Sequence, residues 1–163
     1  MPARDDCLEA NRSYQESFDK AELPLPPARG LAVVTCIDAR IDPAKVLGLE
    51  EGDAHVIRNA GGLVTDDALR SLVISHQLLG TQEVMVIGHT DCGMLTFTND
   101  DIHAKLRDET GHDASHIDFH PFPDGDESVR ESVGRVEESP FMEGVTVSGW
   151  VYDVRSGGLR EVA

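Results

Sequence analysis

Two short apolar runs limit what this chain can fold into more than any other feature. Leu31-Ala32-Val33-Val34-Thr35 and Val84-Met85-Val86-Ile87-Gly88 are continuous and rich in β-branched residues. A half-exposed strand alternates apolar with polar, whereas a strand covered on both faces reads as an unbroken run. Both stretches therefore read as inner strands of a parallel sheet, and a parallel pair needs a crossover, usually a helix, between its members.

The segments around them supply those crossovers. Asp42-Pro43 gives an N-cap and a first-turn proline, and Gly48 a stop, so a short helix fits between them. Ala54 to Arg58 reads as another strand, followed by the loop Asn59-Ala60-Gly61-Gly62. The clearest helix runs from Thr65 to Leu79, with Leu69, Leu72, Val73, His76 and Leu79 on one face. Asp66 and Asp67 suit the positive end of its dipole, and Gly80 ends it. Asn99 or Asp100 caps a helix to about Thr110, and Gly111 to Gly125 reads as a loop. Asp126 to Glu138 reads as a helix polar on most faces, stopped by Ser139-Pro140. Val145 to Val154 is the fourth strand, and Leu159 to Val162 returns as an antiparallel edge after Ser156-Gly157-Gly158. The expected class is α/β: a Rossmann-like, mostly parallel sheet of four strands plus that edge, flanked by helices.

Residues 5 to 19 are helical in pattern but carry only a weak apolar stripe of Leu8, Asn11, Tyr14, Gln15 and Phe18. Such a helix is marginal alone and needs another surface. Leu23 to Gly30, with Pro24, Pro26 and Pro27, reads as an extended linker. Residues 1–30 are thus expected to form an arm, and residues 31–163 a single catalytic domain.

Composition narrows the function classes. With 30 acidic and 14 basic residues, the formal net charge is −16, which repels nucleic acid and anionic membrane. Only Lys20, Lys45 and Lys105 are lysines. A surface of this kind suits high salt, where the Debye length of about 3 Å at 1 M removes self-repulsion. No run approaches the roughly 20 apolar residues of a membrane span, and the polar N-terminus lacks the pattern of a signal peptide. A soluble cytoplasmic protein is the expectation. The cysteines, Cys7, Cys36 and Cys92, are too few for a disulfide framework.

Each inner run ends in residues that carry chemistry. Cys36-Ile37-Asp38-Ala39-Arg40 follows the first, and His89-Thr90-Asp91-Cys92 the second. In open α/β sheets, ligands bind beyond the carboxyl ends of the strands, where strand order reverses. Neighbouring strands would bring two thiols and one imidazole to one place. Such soft donors select zinc, and three of them leave a fourth position open, as catalytic zinc requires. If the strand conformation continues to Arg40, then Cys36, Asp38 and Arg40 share one face, and Asp38 pairs with Arg40 and stays ionised. Cys7, on the arm, is a bystander in this reading. A thiol nucleophile, Cys36 or Cys92, activated by His89 is a competing reading of the same residues.

These segments, with Arg58-Asn59-Ala60-Gly61-Gly62 and Gly88-His89-Thr90-Asp91-Cys92-Gly93, resemble the β-class carbonic anhydrases, the compact prokaryotic branch nearest. The likeness extends through Met94 to Asp101, Ser139-Pro140-Phe141 and Val151-Tyr152-Asp153-Val154, and so covers most of the chain from residue 31 onward. It implies Zn²⁺ on Cys36, His89 and Cys92, with Asp38 and Arg40 as the dyad that orients the nucleophile. It also implies reversible hydration of CO₂ to bicarbonate, and a homodimer with the arm laid over the partner. The family offers two arrangements for Asp38, beside the metal or on it. An inhibitory bicarbonate pocket, built in some members on a tryptophan upstream of the first Cys, is not expected here. Leu31 to Thr35 hold no aromatic residue, and Trp150 is the only Trp.

For the substrate pocket, Ile37, Ala60 and Leu63 are the expected apolar lining, and backbone N–H groups near Gly62 and Gly93 the expected bicarbonate contacts. His103, His112, His116 and His120 are the imidazoles to consider for a proton relay, but solvation alone accounts for them. His55 and His76 read as structural. Two further rivals are hydrolysis of CS₂ or COS with the same fold and metal, and, from another class, a non-catalytic zinc or bicarbonate-binding sensor that has lost turnover.

Overall fold

The computed structural model describes residues 2–163. One five-stranded sheet, in the order β2-β1-β3-β4-β5, organises the chain. β1 (Leu31–Cys36), β2 (Ala54–Asn59), β3 (Glu83–His89) and β4 (Thr146–Tyr152) are parallel neighbours, and β5 (Leu159–Glu161) runs antiparallel to β4. The expected class and the pairing of the two apolar runs are both observed. Strand order reverses between β1 and β3, since the chain adds β2 on one side of β1 and then returns to the other.

The burial of β1 explains its sequence. All six residues from Leu31 to Cys36 are buried, and Ala32, Val33 and Val34 have no exposed surface. The strand runs one residue past the apolar stretch, so Cys36 is its last residue, and His89 is likewise the last of β3. The main core lies over one sheet face and joins Val34, Val84 and Val86 to Leu72, Val129, Val133 and Val136.

The helices follow their caps. α3 (Asp66–Leu79) starts where the Thr65 hydroxyl accepts from Ala68 N and stops at left-handed Gly80. α2 (Pro43–Leu47) has Asp42 as N-cap and Gly48 as C-cap. α4 (Asn99–Thr110) is capped by Thr98 in a capping box with Asp101, one residue earlier than the sequence suggested. α5 (Gly125–Glu137) departs more from expectation. Its pattern reads as mostly polar, yet it buries Ser128, Val129, Ser132, Val133 and Val136. Small serines let it sit close to the sheet, where a Cβ on Gly88 or Gly149 would lie 2.7 or 2.8 Å from the Val129 methyl groups.

α1 (Ala3–Glu16) lies slightly earlier than the expected 5–19 and buries no residue. The end of this segment meets the body through Glu51, to which the Tyr14 hydroxyl and the Lys20 ammonium both donate. Leu8, Tyr14 and Phe18 stay exposed.

The core makes a stability prediction. Leu72 is fully buried between α3 and the sheet, so Leu72→Ala should cost about 2–5 kcal/mol in urea unfolding. A loss below about 1 kcal/mol would show that the site collapses freely and that this contact does not define the core.

Candidate metal centre

The three expected ligands meet beyond the strand ends. One donor atom from each of Cys36, His89 and Cys92 lies within 4.8 Å of the others, and all three residues are buried, at 5%, 4% and 3% exposure. β1 delivers Cys36 and β3 delivers His89. Cys92 follows after a tight turn through Asp91, whose φ of 54° is left-handed. Cys7 is exposed on α1, away from this group.

The imidazole is oriented by its own backbone. His89 Nδ1 lies 2.8 Å from the Thr90 carbonyl, which can only accept, so Nδ1 carries the proton and Nε2 presents a lone pair. Among the described residues, Nε2 is the buried side-chain polar atom without a hydrogen-bond partner. An orphaned lone pair beside two thiols is what a soft divalent cation fits. Their neighbourhood splits the two thiols: the adjacent Cys92 favours the Cys36 thiolate, while Cys36 and burial push the Cys92 thiol upward.

Asp38 and Arg40 form the expected pair, but not through an extended strand. β1 ends at Cys36, and the chain turns, with Ile41 N donating to the Asp38 carbonyl at 3.1 Å. The turn brings Arg40 onto Asp38 three times: backbone N to Oδ1 at 2.8 Å, Nε to Oδ1 at 3.0 Å and Nη2 to Oδ2 at 2.7 Å. The side-chain bond from Arg40 and the backbone N–H hold the Asp38 carboxyl well below the usual carboxylate range. Asp38 Oδ2 lies 3.8 Å from His89 Nε2, on the rim of the ligand group. Arg40 Nη2 also donates to the Asp91 carbonyl at 3.0 Å, linking this ion pair to the His89–Cys92 segment.

Arg58 is a residue whose task the sequence did not disclose. From β2 it donates Nε to the Cys36 carbonyl at 2.9 Å and Nη2 to the Asp38 carbonyl at 2.8 Å. The loop after β2 is braced by Asn59, which exchanges two hydrogen bonds with Leu63 at 2.7 and 2.8 Å. Within it Gly61 and Gly62 have φ of 87° and 67°.

A cavity of about 390 Å³ opens at the ligands, lined by Cys36, Ile37, Asp38, Ala60, Cys92, Gly93, Met94, Thr96 and Phe97. Ile37, Ala60 and Gly93 therefore line the cavity beside the ligand group. Leu63 lines a neighbouring cavity of about 280 Å³ instead, and Gly62 lines neither. Gly62 is pressed against β1: a Cβ there would lie 2.8 Å from Cys36 N. Met94 and Phe97 were missed because their apolar run carries no strand or helix period; a 3₁₀ turn at Gly93–Leu95 folds them inward. Of the histidines considered for proton relay, His103 bonds the Ile117 carbonyl and His120 the Asp118 carboxylate. Neither they nor His112 and His116 line the metal cavity.

The architecture defines a class: an α/β protein with an open Cys₂His group at the switch point of its sheet and a carboxylate–guanidinium pair on the rim. The carbonic anhydrase family model matches residues 31–159, and the chain belongs to that family. It is 48% identical to β-carbonic anhydrase 1 of Mycobacterium tuberculosis over 165 aligned positions, covering 99% of both chains. The crystal structure of a Streptococcus mutans carbonic anhydrase superposes with a TM-score of 0.95 at 48% identity, over 100% of this chain and 99% of that one. A carbon disulfide hydrolase of Acidithiobacillus thiooxidans is 35% identical across 86% of this chain and 81% of its own.

The close approach at Gly62 is testable. A methyl group there meets backbone, and L residues resist its positive φ, so Gly62→Ala should cost about 2 kcal/mol or more and displace Cys36. Thermal unfolding and metal content of the variant measure both effects, and an unchanged pair would remove this contact from the site's construction.

Proposed function

We propose that the chain is a zinc carbonic anhydrase: Cys36, His89 and Cys92 hold Zn²⁺, and the reaction is the reversible hydration of CO₂ to bicarbonate and a proton. The observation that carries this is the buried Cys₂His group with one unpartnered lone pair, opening onto a mostly apolar cavity. Bound zinc supplies water that ionises near neutral pH.

The protein's own residues do the rest. Ile37, Ala60, Met94 and Phe97 give CO₂ an apolar wall. Asp38 accepts the remaining hydrogen of the nucleophile, which aims an oxygen lone pair at the CO₂ carbon. Arg40 keeps Asp38 ionised for that task. An acceptor that never titrates near neutrality imposes no pH limit of its own. Because the folded-state value is depressed, the stabilisation from this pair is present above the ordinary carboxylate range. It is lost only as pH falls through the depressed value. The backbone N–H of Gly93, a residue of the cavity wall beside Cys92, serves as a contact for a bicarbonate oxygen.

Asp38→Ala and Arg40→Ala should each retain zinc while kcat/KM for CO₂ falls by about 10²-fold or more in stopped-flow assays near pH 8. Full activity in both variants would exclude the dyad. Chelation should abolish turnover; activity that survives chelation but not thiol alkylation would favour a cysteine nucleophile. Hydrolysis of CS₂ is the second reading, favoured by the 35% identity to a carbon disulfide hydrolase. Parallel assays on CO₂, COS and CS₂ decide between them.

The same proposal extends to assembly and setting. Residues 1–30 act as an arm that covers its exposed Leu8, Tyr14 and Phe18 against a second copy, giving a homodimer with residues 31–163 as the catalytic domain. The charge of −16 suits a cytoplasm of high salt. Among the described residues no helix is long and apolar enough to cross a membrane. Melting should rise by about 5 °C or more between 0.1 M and 2 M potassium chloride, as screening shortens from about 10 Å to under 3 Å. Equal melting points would count against adaptation to salt.

A further inference from the structure

The segment that carries two ligands, His89-Thr90-Asp91-Cys92, is held from outside by the turn between β4 and β5. Thr90 N donates to the Tyr152 carbonyl at 2.9 Å, continuing the β3–β4 ladder one residue beyond His89. The Thr90 hydroxyl then works in both directions. It accepts from Val154 N at 3.1 Å and faces the Asp153 carboxylate, with Oδ1 at 3.5 Å. Asp153 is fixed in turn by Arg155 N at 2.9 Å and the Ser156 hydroxyl at 2.8 Å. Its backbone closes the turn, with Asp153 N donating to Gly158 O and Gly157 N to Asp153 O.

Thr90 is where this brace reaches the metal centre. Its carbonyl is the acceptor of His89 Nδ1, so the orientation of the ligand ring depends on the orientation of the Thr90 peptide. The next residue, Asp91, adopts a left-handed φ of 54°, a conformation that persists only where the surroundings over-determine it. Its carbonyl is held by Arg40 and its carboxylate faces Arg155 Nη2 at 3.5 Å. The ring, the turn and the dyad therefore share one short piece of backbone, and the hydroxyl is the side chain that anchors it to the sheet edge.

We propose that Thr90 is a positioning residue for the metal centre: its hydroxyl, bonded to Val154 N and Asp153, sets the peptide that aims His89 Nε2 at the cation. The inference rests on the zinc reading above and goes beyond it in assigning a task to the β4–β5 turn. Partners outside the ligand sphere that orient a ligating imidazole change metal affinity by about 10- to 100-fold when removed.

The test is zinc affinity by competition with a chromophoric chelator, on the full chain, for wild type, Thr90→Val, Thr90→Ser and Asp153→Ala. Thr90→Val removes the hydroxyl while keeping the branched shape, and its affinity should fall by about 10- to 100-fold. Thr90→Ser should restore most of it. Asp153→Ala approaches the brace from the other side and should weaken binding in the same sense, with the double variant Thr90→Val/Asp153→Ala little worse than Thr90→Val alone. Metal-free melting should separate the roles, with Thr90→Val close to wild type although its zinc affinity is not. Zinc affinity in Thr90→Val within about twofold of wild type overturns the brace while leaving the zinc reading intact. An equal loss in Thr90→Ser overturns it too, because the hydroxyl is then not the cause. A wild-type chain that binds no zinc overturns both.

Discussion

A buried nitrogen lone pair with nothing to bond is costly, by about 1–3 kcal/mol, and the rest of this structure is arranged around one. His89 Nε2 is directed into a buried corner by a hydrogen bond on the other side of its ring, and two buried thiols face it. A protein that needed His89 only for packing would gain by giving Nε2 a partner. The corner makes physical sense once a soft cation occupies it. The parallel order of β1 and β3, the tight turn at Asp91 and the glycines after β2 are then means of bringing three donors together without crowding them.

Around that corner the chain uses backbone carbonyls as handles. Arg58 grips those of Cys36 and Asp38, Arg40 that of Asp91, and His89 that of Thr90. Three consecutive demands are met this way: a ligand at the end of a strand, an ionised carboxylate two residues on, and a second ligand pair across the sheet. Loops alone would not hold such positions closely, whereas strand ends tied by charged donors do.

Much of this was legible in the residues themselves. The unbroken run from Leu31 announced a doubly covered strand, and Thr65, Gly80, Asp42 and Gly48 bounded their helices because capping is local chemistry. The ligands could be grouped because two apolar runs ended at thiol and imidazole. What escaped was non-local. The serines on α5 look polar in sequence and pack against the sheet in space. Met94 and Phe97 line the cavity only because a 3₁₀ turn redirects them, and Leu63 turns into the neighbouring cavity. The Asp38–Arg40 pair was found for an incomplete reason: the spacing fits a strand, yet a turn makes the contact.

X-ray absorption at the zinc K edge of the purified, zinc-loaded protein tests the ligand set most directly. The metal should have two sulfurs near 2.3 Å and one imidazole nitrogen near 2.0–2.1 Å, with a fourth light atom completing a tetrahedron. A shell without sulfur, or one in which Cys36→Ser and Cys92→Ser leave the spectrum unchanged, would contradict it.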